Sequence, residues 1–223
     1  MARISQDNLD LFVASATDLS AKQHRDLMER CWFSLSKRKC LQTIEHQVGD
    51  SSVKIFSNEY GIATIFDQDM MIFLISQLMR AVNNNEEHGR RWRFTGYEYY
   101  KFIGRKSIGG KSYKDIWACL QRLRGTTIAT NMRLENKEKA EEFSWLSSIK
   151  HYKENGKSRG CEVEIPDWIY DSVVNSKMVL TIDEDYFSIK GGLERWLYMF
   201  ERKSTGRQHS SWSENTKSIY NKS

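Results

Sequence analysis

Between Asp67 and Val82 the chain carries Met70, Met71, Ile72, Phe73, Leu74, Ile75, Leu78, Met79 and Val82, which cover nearly the whole circumference of a helix. Such a helix has no face to offer to water, so it must run through the middle of the fold with other elements packed around it. Asp67 stands where an N-cap belongs, and Asp69 in the first turn opposes the positive end of the helix dipole. The methionines read as adaptable core filler. The longest unbroken apolar run, Met70 to Ile75, is six residues. A bilayer span needs about 20, and the N-terminus, with Asp7 and Asp10, lacks the apolar segment of a signal peptide. A cytoplasmic protein with no membrane partner is the expectation.

The elements expected around the central helix mix helical and period-two patterns, an α+β chain. Residues 5–30 read as a weakly amphipathic helix, so residues 1–29 are taken as an N-terminal helical extension. Short strands are expected at 34–36, 42–46, 52–56 and 61–66, with the run Ser36-Lys37-Arg38-Lys39 as a turn. Thr95 and Glu98 form a capping box that opens a helix ending at Gly104. Ser112 and Asp115 form a second one, opening a helix to about Arg124 that Gly125 ends. Helix, glycine-bearing turn, helix is the helix-turn-helix pattern. Next come a strand over 126–133 and another through Phe143, Trp145 and Ile149. An Asn155-Gly156 hairpin turn and a return strand through Cys161, Val163 and Ile165 follow. Pro166 suits the start of a helix over 167–174, 181–189 reads as strand and turn, and Leu193, Trp196, Leu197 and Phe200 repeat at helical spacing towards Gly206. The first domain, a winged helix-turn-helix, is placed at 30–188.

The charge is concentrated in the same region. From Arg90 to Arg124 there are ten basic and two acidic residues, a net +8 that leaves the rest of the chain at −3 of its total +5. A basic block in an otherwise slightly acidic chain is the electrostatic footprint of a nucleic-acid binder. On the second helix Tyr113, Ile116, Trp117, Leu120 and Leu123 make the apolar stripe, while Lys111, Lys114, Ala118, Gln121 and Arg122 fall on other faces. Cations for phosphates, an amide for base edges and a small residue at the point of approach suit a helix that enters a major groove. Arg105 and Lys106 precede that helix, and Ser112 serves the cap or a phosphate. The hairpin carries Lys150, Lys153, Lys157 and Arg159, as the wing of a winged helix would. These eleven residues are the candidate DNA contacts, with Lys114 and Gln121 the candidates for base edges.

Other chemistries find little support. The five histidines have no partners at useful spacing, Asp183, Glu184 and Asp185 read as a solvated turn, and GRKSIGGKS has the wrong spacing for a phosphate loop. Cys31, Cys40, Cys119 and Cys161 show no metal-ligand spacing and read as free thiols. No catalytic residue, metal or cofactor is expected. The competing functions are a winged-helix repressor, a nuclease or relaxase, and a pure interaction module.

Four stretches carry a resemblance: GIATIFDQDMMIFLISQ (61–77), RFTGYEYYKFIGR (93–105), GGKSYKDIWACLQRLRGTTIATNMRL (109–134) and PDWIYDSVVNSKMVLTIDEDYFSIKGGLERWLYMFERKSTG (166–206). In order and spacing the chain resembles, over about residues 25–215, the plasmid replication initiator protein A family of bacteria. That resemblance implies a non-enzymatic, iteron-binding initiator built from two tandem winged helices. It would bind repeats in double-stranded DNA at a plasmid origin, help start replication and recruit host replication proteins. It also implies a homodimer that represses its own gene and a monomer that initiates. Residues 189–223 would then be the start of a second winged helix, incomplete here.

Overall fold

The structure, a computed structural model, describes residues 11–13, 20–105, 110–131, 141–176 and 178–205. In chain order the elements are β1 (Leu11–Val13), β2 (Lys22–His24), α1 (Asp26–Glu29), β3 (Ile44–Val48), β4 (Ser51–Phe56), α2 (Gln68–Asn83), β5 (Arg91–Phe94), α3 (Gly96–Phe102), α4 (Gly110–Gly125), β6 (Thr127–Thr130), β7 (Glu141–Ser144), β8 (Ser148–Glu154), β9 (Lys157–Glu164), α5 (Asp167–Val174), β10 (Val179–Thr181), a 3-10 turn (Glu184–Ser188) and α6 (Gly192–Ser204). The strands form three sheets, in the orders β1-β5-β9-β8, β10-β2 and β3-β4-β6-β7. Among the described strand pairings, β1–β5 alone is parallel.

Helix α2 occupies the centre that its apolar circumference demands. Met71, Leu74, Ile75 and Leu78 are fully buried, and Ile116, Leu120 and Trp145 close the same core. Phe33 stacks on Trp145 with centroids 4.6 Å apart. Helix α3 packs on α4 so closely that a Cβ on Gly96 would lie 2.7 Å from the Tyr113 ring. The β8–β9 hairpin turns at Asn155 and Gly156, with φ of 49° and 75°, the two positive values that a type I′ turn requires. Strand β9 pairs with β5 on its other side, so a strand, two helices and a hairpin close on one another. All four cysteines are free thiols, and burial pushes Cys161 up to about 12.

Several expectations give way to tertiary packing. The helix expected over 5–30 is, in its described part, two short strands and the four-residue α1. Pairing with β10 and burial of Ala21, Gln23 and His24 override a weak helical pattern. Residues 34–36 and 61–66 are not strands but two irregular segments bridged at Ser34 and Thr64. Ile62, Ala63 and Ile65 are buried there while their amides bond to Cys40 O, Thr126 Oγ1 and Ser34 O. Phe143, Trp145 and Ile149 do not share a strand: β7 belongs to one sheet and β8 to another, with Trp145 in the turn between them. Of residues 181–189, Thr181 ends β10 and Glu184–Ser188 make a 3-10 turn. The second capping box does not form, because α4 has already begun at Gly110. Asp67 is at the N-cap of α2, but its side chain makes no cap bond.

Helix α6 turns the unexpected face inward. Leu193, Leu197 and Phe200 are exposed, whereas Arg195 and Met199 are buried. Met199 joins Ala21, Met28, Ile72, Ile182 and Tyr186 in a second small core. Arg195 donates to Asp69 at 2.6 Å and to the carbonyls of Ile189 and Phe187 at 2.8 and 3.1 Å. Its guanidinium also lies against the rings of Phe66 and Tyr186. Residues 206–223, read as the start of a second domain, lie outside the described residues.

Breaking a buried pair leaves an uncompensated charge. Arg195→Met is therefore expected to lose about 3–5 kcal/mol of unfolding free energy in urea, and Asp69→Leu added to it to recover most of that loss. Burial pushes the Asp69 carboxyl up to about 6, with Arg195 holding it down only in part. In the unfolded chain it titrates near the ordinary value of about 3.9. The folded state thus binds the proton first, and this group's contribution to stability falls as pH rises from about 4 to about 6. Asp69→Asn should remove that slope from a pH series of urea midpoints.

Candidate nucleic-acid interface

Helices α3 and α4 are held together by short-range bonds. Thr95 and Glu98 form the full capping box at the start of α3. The chain leaves α3 through Gly104, whose amide bonds to Lys101 O at 3.1 Å. The Tyr100 hydroxyl then donates to the Ser112 carbonyl at 2.7 Å and fixes the first turn of α4 against α3. Ile116, Cys119, Leu120 and Leu123 face the core. Tyr113 and Trp117, expected on the same stripe, are half-buried at its edge.

Two contacts set the flanks of α4. On one side Trp117 stacks on His151 of β8, centroids 5.0 Å apart and planes at 28°. Burial, helped by the nearby charge of Lys153, lowers the His151 pKa and favours the neutral ring in that stack. On the other side Arg122 grips Asp67 through two bonds, Nε to Oδ2 at 2.8 Å and Nη2 to Oδ1 at 2.6 Å. Asp67 Oδ2 also accepts from the amide and hydroxyl of Thr64 at 2.8 and 3.0 Å. This fork geometry suits a guanidinium and a carboxylate, and both are drawn from water.

The exposed described side chains of α4 lie near its start and, with Arg124, in its last turn. Lys114 and Asp115 are exposed and Ala118 is partly so. Towards the C-terminus the Asn58 amide approaches the Gln121 carbonyl at 3.5 Å. Arg105 is exposed and lies over the Tyr100 ring. On the hairpin, Lys150 bonds Glu162 at 2.9 Å and Arg159 pairs with Glu154. Burial alone would raise the Glu162 pKa, but bonds from Lys150 and Tyr152 bring it below the usual range. Lys153 is exposed with no acidic partner among the described residues. Arg93, not among the candidates, stacks its guanidinium 4.4 Å from the Tyr152 ring centre. Its place beside the hairpin could have been suspected only from a strand pairing that the sequence does not announce.

With this geometry in place, comparison with known proteins places the chain. Residues 22–223 match the family described as Replication initiator protein A. The chain belongs to that family. It is 33% identical over 217 residues to a protein of Wigglesworthia glossinidia brevipalpis named "Putative replication protein", a match covering 95% of this chain and 78% of that one. Among solved structures, a crystal structure of domains 2 and 3 of RctB superposes with a TM-score of 0.58 at 13% identity, covering 85% of this chain and 75% of that one. A second structure of RctB domains 2–3 gives 0.55 at 14% identity, over 83% and 73%. These two show a shared fold. The family assignment makes this chain a replication initiator by descent.

The eleven candidate residues divide accordingly. Lys114 on α4, Arg105 just before it and Lys153 on the hairpin are exposed cations of one helix-turn-helix and its hairpin. Lys150 and Arg159 are exposed but paired with acids. Gln121 is half-buried, with its carbonyl approached by the Asn58 amide. Ser112 is buried inside the first turn of α4, so it neither caps the helix nor reaches its exposed face. Arg122, expected on the open face, is committed to Asp67 and holds α4 on α2. Lys106 lies outside the described residues, as do the side chains of Lys111 and Lys157. Among the described residues no three or more of His, Cys, Asp and Glu are grouped to hold a metal ion, and no helix is long and apolar enough to cross a membrane.

The two kinds of cation on α4 should behave differently. Arg122→Ala strands the buried Asp67 carboxylate and is expected to lower unfolding free energy by about 3–5 kcal/mol. Lys114→Ala, at an exposed position, should stay within about 0.5 kcal/mol of the parent. Urea midpoints measured side by side check this, and equal midpoints for the two variants would remove Arg122 from its structural role.

Proposed function

We propose that this chain binds double-stranded DNA at a plasmid origin through a winged helix-turn-helix and thereby marks repeats for initiation. The observation that carries the reading is one juxtaposition. A capped helix, a turn and a second helix are followed, after β6 and β7 of another sheet, by a β-hairpin whose His151 stacks on Trp117 of the second helix, while β5 pairs with the hairpin's return strand. Strand, helix, helix, hairpin in that order is the plan of a winged helix, with α4 as the groove-facing helix and β8–β9 as the wing. Exposed Arg105, Lys114 and Lys153 supply cations beside it.

In this reading the protein has no catalysis of its own and works in the cytoplasm. Its partners are origin repeats, host replication proteins and a second copy of itself in a repressing state. A winged-helix autorepressor would use the same surface. Footprinting on the plasmid's repeat array separates the two: protection across the array supports an initiator, and protection confined to one promoter operator supports a repressor.

The electrostatic part is measurable directly. If about four phosphates are neutralised, log K should fall with log salt at a slope of about −3.6, at roughly −0.9 per phosphate. Lys114→Ala with Lys153→Ala should flatten that slope by about 1.8 on repeat-bearing and random duplexes alike. An unchanged slope in this variant, with the protein folded, would show that α4 and the hairpin do not face DNA.

A further inference from the structure

The loop Ser36-Lys37-Arg38-Lys39 holds three consecutive exposed cations. No acidic side chain pairs with any of them among the described residues. Some cations elsewhere are matched, Lys54 by Glu45, Arg80 by Glu86 and Arg159 by Glu154, whereas those of the loop, like Lys114 and Lys153, have no acidic partner among the described residues. The loop is also shaped rather than slack. The Ser36 amide donates to Ser34 Oγ at 3.3 Å and the Arg38 amide to Ser36 Oγ at 3.0 Å, two successive serine turns. The Lys37 ammonium sits over the Phe66 ring at 4.7 Å. At the loop's end the Cys40 carbonyl accepts from the Ile62 amide at 2.8 Å. Gly61, at φ +91°, lets the loop press in: a Cβ there would stand 2.9 Å from Lys39 Cγ and 3.1 Å from the Cys40 carbonyl oxygen.

Those contacts locate the loop. Gly61 lies three residues past Asn58, whose amide approaches the Gln121 carbonyl of α4, and Phe66 precedes Asp67, which holds Arg122 of the same helix. The segment 58–67 thus carries the loop on the Arg122 side of α4, roughly 140° round the helix from Trp117, which meets the hairpin. A run of unpaired cations on a fixed backbone is suited to a phosphate backbone, which asks for charge at set positions and no base readout.

We infer that loop 36–39 is a second double-stranded-DNA contact, gripping backbone phosphates on the side of α4 opposite the hairpin. This rests on the winged-helix reading. The duplex would be held by wing, helix and loop together, so the loop strengthens binding without choosing the sequence.

The test uses the full chain and a duplex of about 30 base pairs, repeat-bearing or random, in a salt series. Lys37→Ser, Arg38→Ser and Lys39→Ser together should flatten the slope of log K against log salt by up to about 2.7, at roughly 0.9 per phosphate, equally on both duplexes. Arg38→Glu alone alters one exposed charge and should flatten it by at least about 0.9, which keeps the test open if the triple variant folds poorly. The loss should add to that of Lys114→Ala with Lys153→Ala. If those two substitutions flatten the slope while both loop variants overlay the parent, the winged-helix reading stands and the loop contact is overturned. If the parent chain binds neither duplex at low salt, both fall. A loop variant that loses repeat-bearing DNA but keeps random DNA would also overturn the backbone role.

Discussion

The N-terminus of α2 holds two carboxylates two residues apart, and each takes an arginine from a distant helix. Asp67 receives Arg122 of α4, and Asp69 receives Arg195 of α6. The helix behind them is buried on nearly all sides, so neither aspartate can turn to water. Taking a charge out of water is costly, and only a close, well-bonded counter-ion offsets it. The fold meets that condition twice in one turn, and the result is that α4 and α6 are both referred to the same rigid element. Burial still dominates at Asp69, whose carboxyl sits near 6 despite the guanidinium beside it. Two such pairs are weak evidence of extra stability, since well-packed apolar groups could fill the same space. Their role is registry: they set where the two helices dock.

How much of this could be read beforehand depended on which force decided each element. The α2 segment was legible because an apolar circumference admits one outcome. Thr95 and Glu98, and Asn155 with Gly156, were legible because capping and turn chemistry act over a few residues. The failures share a cause. At 61–66 a β-like run is buried as irregular chain because Cys40, Ser34 and Thr126 meet its amides. At Phe143, Trp145 and Ile149 an alternating pattern spans two sheets. On α6 the apolar repeat is the outer face because Arg195, a charge, is drawn in by Asp69 126 positions away. No local pattern encodes a partner that remote.

The same limit applies to the candidate interface. A net +8 over Arg90–Arg124 overstates the charge that the fold leaves unpaired there. Arg90 is taken up by Glu164 and Asp167, Arg91 lies 3.9 Å from Glu164, and Arg122 is held by Asp67. Counting charge along a chain cannot separate a strut from a contact; only burial and pairing do. Conversely, the short run Lys37-Arg38-Lys39 drew no attention as a turn, yet its cations lack acidic partners among the described residues.

What the struts leave is a helix with little freedom to move. Tyr100 fixes the start of α4 through the Ser112 carbonyl, His151 stacks on its middle at Trp117, and Asp67 clamps Arg122 in its last turns. Each anchor comes from a different element: α3, the hairpin and α2. Ordering side chains and loops on association consumes part of any binding energy, so a recognition element ordered beforehand keeps more of it. Under the proposed role for α4, Arg122 serves binding more by staying on Asp67 than it would by reaching for a phosphate. The exposed lysines can then carry the electrostatic contact on a frame that does not have to rearrange to receive it.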